Sequence, residues 1–135
     1  MGFEKSLILS AAGLKAQGDR LRVIAENLAN SKSTADKPGG DPYQRRIVTF
    51  KNVLDRENGV NTVKVDRIRK DESEFPLKYD PTNPGANKDG YVKMPNVNAL
   101  VELMDMREAQ RSYEANLNMI EVSKSMLART LDLLR

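Results

Sequence analysis

The chain has 135 residues, 39% of them apolar and 5% aromatic, and its charged residues, 30% of the total, nearly cancel to a net +3. With no cysteine and no histidine, it has no disulfide framework, thiolate nucleophile, His-based triad or zinc site built on those ligands, and any catalysis would have to rest on carboxylates, lysine, tyrosine or hydroxyls; neither an enzyme nor a bound cofactor is the expectation. So small a charge surplus does not by itself call for nucleic acid, no run approaches the ~20 apolar residues of a membrane span, and the start lacks the pattern of a secretory signal.

Residues 3 to 30 carry Phe3, Leu7, Ala11, Leu14, Gly18, Leu21, Ala25 and Leu28, in steps of three and four that alternate from Leu7 onward. That spacing predicts a helix with a narrow, coiled-coil-like seam. A neighbouring helix could approach closely at Ala11, Gly18 and Ala25 while the leucines interdigitate on either side. Asn30 and the polar residues that follow it end the helix, because short polar side chains bond their own backbone.

From about residue 34 to 91 the character changes. "ADKPGGDP" is turn-rich, "YQRRIVTF" is β-prone, Glu57, Asn58 and Gly59 can turn the chain, and "VNTVKVDRI" alternates apolar and polar side chains. A two-stranded hairpin is the expectation, and such a hairpin is marginal in water without support. "KDESEFP" and "DPTNPGANKDG" read as polar loop. Asp71, Glu72 and Glu74 stand there beside Lys70 without apolar enclosure and read as a solvated turn. Arg45 and Arg46 beside Tyr43, with Lys64, Arg67, Arg69 and Lys70, read as a solvated or intersubunit basic surface, since interleaved acids dilute the field and stacking aromatics are missing. "DPTNPG" fails as a calcium loop, because Thr82, Pro84 and Tyr91 occupy ligand positions.

In "YVKMPNVNAL", Pro95 favours an extended entry and Asn98 is the expected N-cap of a helix with Glu102 in its first turn. The seven-residue period then returns. Met106, Tyr113, Ile120, Leu127 and Leu134 are seven apart, with Leu103, Leu117 and Leu131 on a companion line that Gln110 and Lys124 interrupt. Those two polar residues are either the edge of the stripe or positions that select register. The two helices would be about 40 Å and 54 Å long, far more than a small globular domain needs. The fold expected is mainly α, with long N- and C-terminal helices paired in a coiled-coil-like arrangement around a small central β-hairpin and loop region. In segments, this is an N-terminal helix (1–33), a central segment (34–91) and a C-terminal helix (92–135), forming one discontinuous domain with its termini packed together. Both helices need further helical neighbours, as in an oligomer or filament.

"SAAGLKAQGDRLRVIAENLANSKST" resembles the N-terminal motif of bacterial flagellar axial proteins, and "GYVKMPNVNALVELMDMREAQRSYEANLNMIEVSKSMLARTL" is similar to the C-terminal counterpart. Tyr91, Val92, Met94 and Pro95 to Asn98, then Arg111 to Asn116, stand where the motif of the basal-body rod family places them. The short length and the "GGDPY" loop fit a proximal rod subunit rather than the longer distal rod and hook subunits. One departure is Asn83 in "DPTNP", where the family often carries histidine.

The resemblance implies a structural protein that leaves through the flagellar type III export apparatus without a cleaved signal and polymerises helically in the periplasm, around the export channel, as part of the motility drive shaft. It implies as partners further copies of the same chain, the neighbouring rod proteins FlgB and FlgF, the basal-body adaptor FliE and, during secretion, the export apparatus. Leu7, Ala11, Leu14, Gly18, Leu21, Ala25 and Leu28 would then be subunit-interface residues on the first helix, and Leu103, Met106, Tyr113, Asn116, Leu117, Ile120, Leu127 and Leu131 on the second. Asn27 and Asn30 match the family's "NLAN", closing the helix end or bonding a neighbour, and Pro95, Asn96 and Asn98 would set the direction from which the long helix starts. The rival reading is a soluble coiled-coil module, a closed homo-oligomer that docks one partner.

Overall fold

The computed structural model describes residues 2–135. In chain order it contains helix α1 (Gly2–Ala29), strands β1 (Arg46–Asp55), β2 (Val60–Lys70), β3 (Leu77–Tyr79) and β4 (Tyr91–Lys93), and helix α2 (Ala99–Leu133). The helices have 28 and 35 residues, within a residue or two of the spans expected from periodicity. Among the described residues neither is long and apolar enough to cross a membrane.

The ends of the helices follow from local bonding. At the close of α1 the Glu26 carbonyl accepts both the Asn30 backbone N–H at 3.1 Å and the Asn30 side-chain amide at 2.8 Å, so Asn30 closes the last turn with two bonds. At the start of α2, Asn98 Oδ1 accepts from the backbone N–H groups of Leu100 and Val101 at 3.1 and 3.4 Å, as an N-cap should. β1 and β2 form the expected antiparallel hairpin, and Gly59 takes up the left-handed φ of +67° at its turn. A second two-stranded sheet, which the sequence reading did not include, pairs β3 with β4 on either side of the "DPTNPGANKDG" loop, with Leu77 opposite Lys93 and Tyr79 opposite Tyr91.

Two compact units share these elements. The first comprises the chain up to Leu21, Val48–Arg67 and Arg107–Arg135. In it α1 and α2 run antiparallel and meet through small and polar side chains. The hydroxyls of Ser6 and Ser123 are 3.1 Å apart, and a Cβ added at Gly13 would lie 2.8 Å from the Asn116 amide, with one at Gly18 3.8 Å from the Tyr113 ring. Ser10, Ala16, Ala109 and Ser123 are buried with them. Within the chain, Ala11 and Ala25 of the expected seam are exposed, and the close contact falls at Gly13. A glycine allows two helix backbones nearer than alanine does, and Ser6 and Ser123 bond each other across the gap, while the Asn116 amide donates to Ser112 O on its own helix at 3.0 Å.

The second unit, Arg22–Ile47 with Ile68–Met106, has a small apolar core of Val23, Ile24 and Val92. Its long connections are tied by backbone bonds, among them Tyr43 N–H to Ser33 O at 3.0 Å, Asp71 N–H to Arg45 O at 2.8 Å and Met94 N–H to Pro76 O at 2.7 Å. Paired backbone groups let a segment so poor in apolar residues keep one conformation.

Candidate interaction site

Two features stand out, a buried polar cluster in the second unit and apolar stripes left open on α2. The cluster centres on Glu102 and Asn27, which are 0% and 1% exposed. Arg45 donates from Nε to Glu102 Oε1 and from Nη1 to Asp71 Oδ2 at 3.1 Å, and its Nη2 lies 3.6 Å from Asp105. Burial works against the charge of the Arg45 guanidinium, but its bonds to Glu102 and Asp71 outweigh that and raise its pKa. Glu102 also gains from the first turn of α2, where exposed N–H groups favour a carboxylate.

Asn27 uses both ends of its amide. Nδ2 donates to Arg46 O at 2.9 Å and reaches Glu102 Oε2 at 3.4 Å, while Oδ1 accepts from Arg46 N–H at 3.0 Å and from the Tyr43 hydroxyl at 2.8 Å. It thus bonds the Arg46 backbone as a neighbouring strand's peptide would, joining the end of α1 to the start of β1. Burial raises the pKa of the Tyr43 hydroxyl, so it stays a donor across the physiological range. Asn96 completes the cluster, accepting from Arg45 N–H at 2.7 Å and donating to Asp71 O at 2.9 Å.

Two sequence readings are corrected here. Asp71 is half-buried, paired with Arg45 and bonded by Ser73 N–H at 2.9 Å, so only Glu72 and Glu74 belong to a solvated turn. Arg45 is turned inward, its side chain 21% exposed, while Arg46 beside it faces solvent. Nothing in the local sequence signals either change, because the partners of Arg45 lie 26 and 57 residues away.

On α1, Leu7, Leu14, Gly18, Leu21 and Leu28 are half-buried, as is Asn30 just past its end, and Ala11 and Ala25 are exposed. On α2, Met106, Tyr113, Asn116 and Ile120 are half-buried, whereas Leu103, Leu117, Leu127 and Leu131 are 40 to 55% exposed. Pro95 is buried and Asn98 is exposed at its cap. The sequence reading missed a second stripe on α2. Met119, Val122, Met126 and Leu133 are also exposed, and their steps of three, four and seven place them along one line of the helix. That spacing was the signal available, obscured by the more regular leucines.

No three acidic side chains converge as a metal site among the described residues. The arrangement is that of a chain with little interior and much apolar helix surface, the design of a structural subunit. A family model described as "Flagellar basal body rod FlgEFG protein C-terminal" matches residues 88–133. The flagellar basal-body rod protein FlgC of Agrobacterium fabrum is 50% identical over 127 residues, covering 94% of this chain and 91% of that protein. Those of Bacillus subtilis and Salmonella typhimurium are 41% and 38% identical, covering 95% and 93% of this chain and 95% and 92% of their own. The class is therefore that of flagellar basal-body rod proteins, structural components of the basal body. Within it, the chain belongs to the FlgC family.

Proposed function

We propose that this chain is a proximal rod subunit that polymerises helically through its two long helices, forming part of the drive shaft around the export channel. The observation that carries this reading is the exposure of Leu103, Leu117, Leu127 and Leu131 on α2. Leucines repeated along a helix and left in water are stabilised by a second apolar helix, and a rod supplies one from each neighbouring copy. The Met119, Val122, Met126 and Leu133 stripe adds a further face, so that one α2 serves more than one neighbour. The leucines of α1 take part in the same coiled-coil-like packing, with the N- and C-terminal segments acting as one discontinuous domain. Residues Pro95, Asn96 and Asn98, with Asn27 and Asn30, hold the chain where α1 ends and α2 begins.

In this reading the protein has no enzymatic role, works in the periplasm, and reaches it through the export apparatus without a cleaved signal. FlgB and FlgF are its neighbours along the rod, and FliE is its adaptor at the base. Hydrogen exchange on the purified chain and on the same chain inside isolated basal bodies tests the reading. Backbone amides around the exposed stripes of α2 should exchange readily in the free chain and become protected in the assembly. Equal protection in a free, discrete oligomer would instead favour a closed coiled-coil module.

A further inference from the structure

The tip of the β1–β2 hairpin carries Asn58 followed by Gly59, the dipeptide least hindered toward intramolecular imide formation, since glycine has no side chain to block its own nitrogen. We propose that Asn58 is a latent self-modification site, and that Asp55 keeps it intact in the folded protein by occupying both groups that would react. Gly59 N–H donates to the carbonyl of Asp55 at 2.8 Å. The Asn58 amide donates to Asp55 Oδ2 at 2.8 Å, and Asp55 Oδ1 accepts from the backbone N–H groups of Glu57 and Asn58 at 3.1 and 3.3 Å. The tip is exposed, so exclusion of water does not supply the protection.

The chemistry needs only hydroxide as base, and water. The Gly59 amide gives up its proton and its nitrogen attacks Asn58 Cγ. A C–N bond forms, the Cγ–Nδ2 bond breaks, and ammonia leaves with the proton returned from water. Water then opens the succinimide at either carbonyl, leaving aspartate or isoaspartate at position 58, with no change of oxidation state. Asp55 opposes the first step twice. Its carbonyl holds the proton that must leave, and its carboxylate places a negative charge beside the amide anion that would form. The Asn58 hydrogen bond, first among the causes, keeps the Asp55 carboxyl below its ordinary pKa, so the guarding group is ionised wherever the reaction runs.

Once converted, position 58 carries a carboxylate where an amide donor faced Asp55 Oδ2. The two anions repel, the Asp55 bonds are lost, and the tip loosens irreversibly. The reaction thus marks any copy whose hairpin tip has been open.

The test incubates the full-length chain in mildly alkaline buffer and follows residue 58 by peptide mass mapping and isoaspartyl methyltransferase labelling. Folded wild type, wild type in urea, Asp55→Ala, Asp55→Asn and Thr62→Val are compared, each folded variant checked by circular dichroism. Thr62→Val removes a different hairpin bond, the one from Thr62 Oγ1 to Val53 O, and leaves Asp55 in place. Folded wild type should convert slowly, and Asp55→Ala, which removes the carboxylate but keeps the backbone carbonyl's bond to Gly59 N–H, about tenfold faster, with the urea rate faster still. Asp55→Asn, which keeps size but not charge, carries the comparison if the alanine variant does not fold, and Thr62→Val should stay near wild type. Equal rates for folded and urea-treated wild type would overturn the proposal. So would a folded Asp55 variant at the wild-type rate, or Thr62→Val accelerating as much as Asp55→Ala.

Discussion

Arg45 and Glu102 form a buried ion pair across 57 residues of sequence, with Asn27 closing the other side of the carboxylate. Glu102 has almost no exposed surface, whereas Arg45 keeps some contact with solvent and has Asp71 and Asp105 as further partners. The two halves of the pair are therefore unequal. Arg45→Met strands a buried carboxylate and should cost about 3 kcal/mol, while Glu102→Leu leaves a cation that still has partners and should cost about 1 kcal/mol. The double variant should be more stable than Arg45→Met alone. Urea unfolding of the three proteins checks the order, and equal losses in both single variants would contradict the asymmetry.

The close approach of Gly13 to Asn116 gives a prediction with a change of sign. Gly13→Ala gains about 1 kcal/mol of helix propensity, but its Cβ would stand 2.8 Å from the Asn116 amide. Overpacking costs about 1 to 3 kcal/mol, so in the wild-type background the substitution should be destabilising. With Asn116→Ala the obstacle is gone and the same substitution should stabilise. Thermal melts of the four proteins in this cycle would show coupling between the positions, and simple additivity would contradict the contact.

Asn27→Ala should be among the most damaging single changes in the second unit. It leaves Arg46 N–H, Arg46 O and the Tyr43 hydroxyl without their partner, at about 1 kcal/mol or more for each group that water cannot reach. Asn27→Asp should be worse, because a second carboxylate then faces Glu102. Urea midpoints rank the two, and a milder effect for aspartate would contradict the Glu102 contact.

Acid should weaken the protein through Asp71. Its carboxyl is held below the ordinary value first by Ser73 N–H, then by the Ser73 hydroxyl and Arg45, with burial opposing. The stability this contributes is complete above the unfolded-chain value of about 3.9 and is lost as pH falls through the lower, folded value. Asp55 acts with the same sign through its bonds to Asn58. Stability measured by urea should fall in strongly acidic buffer, less steeply in Asp71→Asn, and an unchanged slope in that variant would remove Asp71 from the account.

Long periodic segments were the most legible part of the sequence. Both helices, the Asn98 cap and the β1–β2 hairpin follow from spacing and turn chemistry, because each signal is local. The helix face used within the first unit was not legible. Ser6, Ser10, Gly13 and Ser123 have no hydrophobic signature, and the regular leucines draw attention to a different line. β3 was hidden because Leu77, Lys78 and Tyr79 are too few to show alternation, and their pairing depends on a strand a dozen residues on. The Arg45 cluster was invisible for a related reason. Charged residues in a polar segment look solvated until the fold brings Glu102 and Asp71 to the same guanidinium.

The most direct test of the exposed α2 stripe as a contact between subunits is the incorporation of a Leu117→Asp chain into isolated basal bodies. Leu117 is 40% exposed, so the charge should alter the stability of the free chain by less than about 1 kcal/mol. Burying it unpaired against a neighbour should cost several times more. The account predicts a folded, exported protein that is absent from basal bodies. Incorporation at the wild-type level would contradict it.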